Sequence, residues 1–223
     1  MTYFDERFLG FFEGLAIDNS KIYFDERRKL YKEAVRAPFL DLVRDLIVGI
    51  REYEPDLAME PKDAVFRINR DIRFSKDKSP YKTHVGAHIS ARGRKDMGWP
   101  AFYVQLSHEK VMVAGGSYQP SGQEVQRIRQ RIASDPQGLS RLLDVPAFKE
   151  VYGGIQGEAH KRVPREFQET FEVQPLVANK EWYFMADLEP ERALREDLFD
   201  VLMDHYVAGH EVSEYIRDAL RRV

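Results

Sequence analysis

The sequence predicts an α+β fold with a mainly antiparallel central sheet and helices contributed by both the N-terminal and C-terminal segments. Three observations point there. Apolar residues recur every three to four positions in the first 54 residues and again after Ser121. The middle of the chain switches to alternation and contains a hairpin pattern. Helices and strands are segregated along the chain, which favours an antiparallel sheet over a parallel βαβ fold.

Each element has its own justification. Phe4, Phe8, Phe11, Phe12 and Leu15 form one apolar stripe, and Asp18-Asn19-Ser20 supplies a break and a cap. A second helix buries Tyr23, Phe24, Leu30, Tyr31, Ala34 and Val35. Pro38 ends it or opens a third helix over Phe39–Tyr53, which Pro55 stops. Val65–Phe74 alternates as a half-buried strand, with Arg70 misplaced on the apolar parity, so a bulge or turn is expected at Asn69–Asp71. Further strands are expected over His84–Ala91, Phe102–Ser107, Val111–Tyr118 and Glu181–Leu188. The polar stretch His108-Glu109-Lys110 joins the middle pair as a hairpin, and Gly115-Gly116 lets its second arm turn. Ser121 with Glu124 three residues on is a capping-box pattern for a helix to Asp135. Leu139–Phe148 is a short helical region interrupted by Pro146. Two C-terminal helices, Glu191–Tyr206 and Val212–Arg222, are expected on either side of Gly209. No linker composition intervenes, so residues 1–223 read as a single domain.

Composition removes several classes of function. The 223 residues contain no cysteine, which excludes disulfides, thiolate metal sites and cysteine nucleophiles, and favours a cytoplasmic setting. No apolar run approaches the roughly 20 residues of a membrane helix, so no membrane partner is expected. No dinucleotide fingerprint or phosphate loop occurs, and no cofactor is expected. His84 and His88 share ligand spacing only on a helix. On a strand they stand about 13 Å apart, too far to share one metal, and no metal site is expected. Gly115-Gly116-Ser117-Tyr118-Gln119 matches a nucleophile elbow for three positions, then has Gln where glycine is required.

Charge is unevenly placed. Between Arg67 and Lys95 there are nine cations against two acids, a local +7, which leaves −10 elsewhere for a net charge of −3. Asp187–Asp204 leans the other way, with seven acids against two arginines. The densest stretch is Arg70-Asp71-Ile72-Arg73-Phe74-Ser75-Lys76-Asp77-Lys78-Ser79-Pro80-Tyr81-Lys82-Thr83-His84. Arginine forks and lysine point charges suit phosphate or carboxylate, and Ser75, Ser79 and Thr83 offer hydroxyls beside them. Equally, Asp71 and Asp77 could pin the neighbouring cations and leave a solvated loop.

That run, with Phe11-Phe12, Asn19, Arg36-Ala37-Pro38-Phe39, Pro61-Lys62-Asp63, Gly115-Gly116-Ser117-Tyr118-Gln119-Pro120 and Lys161-Arg162-Val163-Pro164, resembles the family named domain of unknown function 2461, found in bacteria and fungi. The likeness covers nearly the whole chain. Tyr23, where the family often has Trp, and Glu166, where it usually has Gly, depart from the pattern outside the basic run. The resemblance implies one α+β domain and a cytoplasmic setting, and assigns no activity or catalytic residue.

Three functional readings follow, in order. The first is a pocket for a small anionic ligand bound by Arg67, Arg70, Arg73, Lys76, Lys78 and Lys82, with Asp71 or His84 as the acid–base candidates of an enzyme. The second is nucleic-acid binding, with Phe74, Tyr81 and Trp99 stacking on bases and Arg92, Arg94 and Lys95 extending the track. The third is an interaction module whose basic run meets an acidic partner or its own acidic segment. Oligomeric state is not encoded in any pattern here. The first reading further expects Arg67, Arg70 and Arg73 to converge, with at least one of the lysines, on a partly exposed concavity.

Overall fold

The computed structural model describes residues 2–73 and 75–221. Phe74 and Arg222, which the sequence assigns to a strand and a helix end, lie outside the described residues. Four strands, β1 (His84–Ile89), β2 (Ala101–Ser107), β3 (Val111–Ser117) and β4 (Trp182–Leu188), form an antiparallel sheet in the order β1-β2-β3-β4. Helices α1 (Glu6–Ile17), α2 (Lys21–Glu26), α3 (Arg28–Leu30), α4 (Ala37–Ile50) and α5 (Pro61–Ala64) precede the sheet. Helices α6 (Gly122–Ser134), α7 (Pro136–Leu143), α8 (Pro146–Tyr152) and α9 (Gln168–Val173) occupy the long connection from β3 to β4, and α10 (Leu198–Arg221) follows it. The α+β expectation holds.

The chain resolves into two compact units. One comprises Met1–Arg94, Tyr103–Val113 and Asp187–Met203; the other comprises Lys95–Phe102, Ala114–Ala186 and Asp204–Val223. The first unit is built on α1 and α4. Phe8, Phe12, Leu42, Leu46 and Ile47 are buried there because the three-to-four spacing puts them on one face of each helix. Ring contacts then run from Phe11 to Tyr31 at 5.5 Å, from Tyr31 to Phe24 at 5.3 Å, and from Phe24 to Tyr81, stacked at 4.1 Å. The second unit packs Ile128, Ile132, Phe148, Trp182, Phe184 and Ile216 into a separate apolar cluster.

Several caps form as the sequence requires. Ser20 caps α2 through the Tyr23 N–H, and Ser121 with Glu124 makes the complete capping box of α6. Pro136 and Pro146 stand in the first turns of α7 and α8, where their missing N–H costs nothing.

Several expectations are corrected. The expected strand Val65–Phe74 is no regular strand. It makes isolated bridges, Val65 to Ala87 and Asn69 to Tyr81, with backbone bonds from Phe66 N–H to Gly86 O, Lys82 N–H to Ile68 O and Arg70 N–H to Pro80 O. Four residues separate the bridges on one side and six on the other, so the ladder is interrupted by a two-residue excess.

Gly209 does not divide two helices: α10 runs unbroken through it. A Cβ there would collide with the buried ring of Phe184, and one at Gly115 would stand 2.5 Å from the same ring. Both glycines therefore make room for Phe184. The acidic stretch before α10 is a short 3₁₀ turn, Pro190–Leu194, rather than a helix start.

Pro38 stands in the first turn of α4, as one of its two readings expects, but no break precedes it. The chain stays helical from Arg28 to Ile50, passing through a π-helical segment, Tyr31–Arg36, closed by the Ala37 N–H on Lys32 O. Proline removes the bond to the carbonyl four residues back and its ring crowds that carbonyl. Widening the preceding turn relieves the conflict without breaking the helix. The helix also ends at Ile50, three residues before Tyr53, and the Arg51 side chain donates to Leu57 O and Met59 O of the following loop.

Candidate functional site

The first unit contains a cavity of about 330 Å³. Its lining carries six cations, Arg28, Lys32, Arg36, Lys62, Arg67 and Arg94, and no carboxylate; Phe24, Tyr31, Leu40, Val65, Phe66, Ile68 and Asn69 complete it. That volume lies at the lower end of the range for small-molecule sites.

Four segments position the cations. Arg28, Lys32 and Arg36 are spaced i, i+4, i+8 along α3 and the π segment. On a regular helix such a row drifts around the axis by about 40° per step. The wide π turn lowers the rotation per residue and offsets part of that drift, so all three reach one cavity. Like charges at this spacing cost an isolated helix about 0.2–0.5 kcal/mol per pair, so helix stability does not account for the row. Neighbouring positions show the ordinary solution, with Lys21 paired to Asp25 at 3.1 Å and Lys29 to Glu33 at 3.9 Å. Arg28 also pairs with Asp25. Among the described residues, no carboxylate lies within ion-pair distance of Lys32, Arg36, Lys62 or Arg67.

Lys62 stands on α5, whose start is set by Pro61. Arg94, in the loop after β1, donates to Lys62 O at 3.4 Å, Asp63 O at 3.2 Å and Val65 O at 2.7 Å. Those are carbonyls at the end of a short helix, groups that need donors. The bonds satisfy them and hold Arg94 at the cavity without neutralising it.

Arg67 follows Phe66 on the irregular extended segment. That segment is anchored through its partner: the Asn19 amide accepts from Tyr81 N–H at 2.9 Å and donates to Tyr81 O at 3.2 Å. The turn between α1 and α2 thus clamps the end of the basic loop, and Phe24 stacks on the clamped tyrosine.

The six residues singled out from the sequence are placed differently from one another. Arg67 lines the cavity. Lys82 lies beside it, with its ammonium 4.9 Å from the centre of the Phe66 ring. Burial, then Arg67 and Arg94, lower the pKa of Lys82, as expected where like charges gather without a counter-ion.

Arg70 pairs with Asp77. Arg73 forks onto Asp71 at 2.6 and 2.9 Å, and Lys78 donates to Ile72 O at 2.9 Å. Lys76 is exposed. Arg73 holds the Asp71 carboxyl down at about 2, and the Ser79 hydroxyl and N–H, then Arg70, hold Asp77 below the usual carboxylate range. The two acids of the run therefore engage two of its arginines. His84, at the start of β1, is drawn down to about 4 by burial, then by Lys82 and Arg70, and is neutral at pH 7. Ser117 is fully buried and donates to Gly98 O at 2.6 Å, which occupies the hydroxyl a nucleophile would need free.

Among the described residues, no group of three His, Asp or Glu side chains could hold a metal ion, and no helix is long and apolar enough to cross a membrane.

Sequence reasoning overlooked Arg28, Lys32, Arg36 and Lys62, and gave Arg94 only to a nucleic-acid track. The signal for the helical row was present in the four-residue spacing. Lys62 and Arg94 had none, since their convergence depends on tertiary placement.

An α+β protein with a carboxylate-free, cation-lined cavity in one of its units is the class these features define. The chain belongs to the family described as conserved hypothetical protein, DUF2461, whose model matches residues 7–215. A search of curated proteins finds no match.

Proposed function

We propose that the cavity binds a small anionic ligand bearing phosphate or carboxylate groups, in a protein working in the cytoplasm. The observation behind this reading is the lining itself, six cations without one carboxylate. Gathering like charges is unfavourable unless an anion joins them, and low-dielectric walls strengthen that attraction. Arg67 belongs to this site, and Lys82 supports it from beside Phe66. Arg70, Arg73, Lys76 and Lys78 contribute their field rather than direct contact. The concave geometry favours a compact ligand over a long strand.

Isothermal titration with inorganic phosphate, sulfate and citrate tests the reading. At least one of them binds saturably, and Arg67→Gln weakens it about tenfold. A single-stranded oligonucleotide serves as comparison. Were it to bind instead, with affinity falling about 0.7 log units per contacted phosphate per log unit of salt, the site would be a nucleic-acid surface and the reading wrong.

A further inference from the structure

We infer that the cavity recognises an oligophosphate chain, two or more linked phosphates, and does so through the phosphates alone. The inference rests on the anion-binding reading above and narrows its ligand.

The cations fall into two arms. One is the helical row; Arg28 and Arg36 are eight residues apart, a separation of about 12 Å along an α-helix and less across a wide turn. The other is formed by Lys62, Arg67 and Arg94, which come from α5, the irregular segment and the loop after β1. A single phosphate or sulfate is too short to meet the whole row and would leave most of 330 Å³ to water. A chain of linked phosphates places one anionic group on each arm. Its several negative charges also match a lining without carboxylates better than one inorganic ion does.

The aromatic lining argues against recognition of a base. Base stacking needs a free ring face. Phe24 is stacked on Tyr81 and has the Arg28 guanidinium 5.3 Å from its centre. Tyr31 packs against Phe11 and Phe24. Phe66 has the Lys82 ammonium at 4.9 Å and the Arg94 guanidinium at 5.9 Å. The rings position cations and support the floor.

Titration of the full chain, with a chelator present, against phosphate, pyrophosphate, tripolyphosphate, AMP, ADP and ATP decides the matter. Pyrophosphate and tripolyphosphate bind at least tenfold tighter than phosphate, and ADP and ATP match their inorganic counterparts within about threefold. Arg36→Gln and Lys62→Gln, one from each arm, each reduce pyrophosphate affinity to near that of phosphate, and unchanged thermal melting confirms that both variants fold. Equal affinity for phosphate and pyrophosphate would overturn the inference while leaving an anion site in place. Nucleotides binding tenfold tighter than pyrophosphate would overturn recognition through phosphates alone. Absence of binding by every anion would remove both readings.

Discussion

Two single residues show how a side chain's meaning depends on what it meets. Gly209 looks like a helix break because glycine is a poor helix former, and Ala would be preferred there by about 1 kcal/mol. In the fold it faces the Phe184 ring, which has no room for a Cβ. Forcing extra carbon into a packed interior costs about 1–3 kcal/mol. Gly209→Ala therefore destabilises the protein, measured as a lower denaturant midpoint, whereas a helix-breaking glycine would give a gain. His84 makes the second case. Its unfolded pKa is near 6.5, and in the fold it is about 4. Between those values the unfolded chain takes the proton more readily, so stability falls as pH drops from about 6.5 to about 4. Thermal melts of wild type and His84→Gln across pH 4.5 to 7.5 check this: the wild-type melting temperature falls more steeply on the acid side.

Among the elements, the helical stripes, the hairpin and the caps were legible because period and capping chemistry are local. Phe8 and Phe12, or Ser121 and Glu124, announce their roles within a few residues. The irregular segment after Val65 was half legible. Its alternation was visible, but the two-residue excess between its bridges depends on how residues 81–87 pair back. The misplaced Arg70 points instead to Asn69–Asp71, where Asn69 bridges Tyr81 and the Arg70 N–H bonds Pro80 O; the excess falls between the bridges, and the Arg70 guanidinium finds Asp77.

The π segment was not legible, since a proline after Tyr31–Arg36 reads as a boundary. That segment ties helix geometry to the site. Pro38→Ala restores the missing N–H and removes the clash that the wide turn relieves. The variant is therefore at least as stable as wild type to heat, while Arg36 rotates away from the cavity and pyrophosphate affinity falls several-fold. Lower stability with unchanged binding would show that the π turn has another cause.

For the molecule as a whole, the net charge of −3 conceals the field that matters. The sequence points to a basic region that includes Arg67, but it counts charge along the chain. Asp71 and Asp77 engage Arg73 and Arg70, while cations from α3, the π segment, α5, the irregular segment and the loop after β1 meet in a cavity lined by no carboxylate. Among the described residues, only Arg28 of that set is paired to an acid, Asp25, outside the lining. No linear count finds such a set.

We propose that the chain behaves as one domain, because the backbone passes between the two compact units five times, four of them within β2, β3, β4 and α10 and one in the loop after β1. Calorimetry then gives a single transition whose van't Hoff and calorimetric enthalpies agree; two separate transitions would refute that.

The most direct test of the central claim is the affinity of wild type, Arg36→Gln and Lys62→Gln for pyrophosphate relative to phosphate. A two-armed cavity predicts at least a tenfold preference for pyrophosphate in wild type that either substitution abolishes. No preference in wild type, or a preference that survives both substitutions, would contradict it.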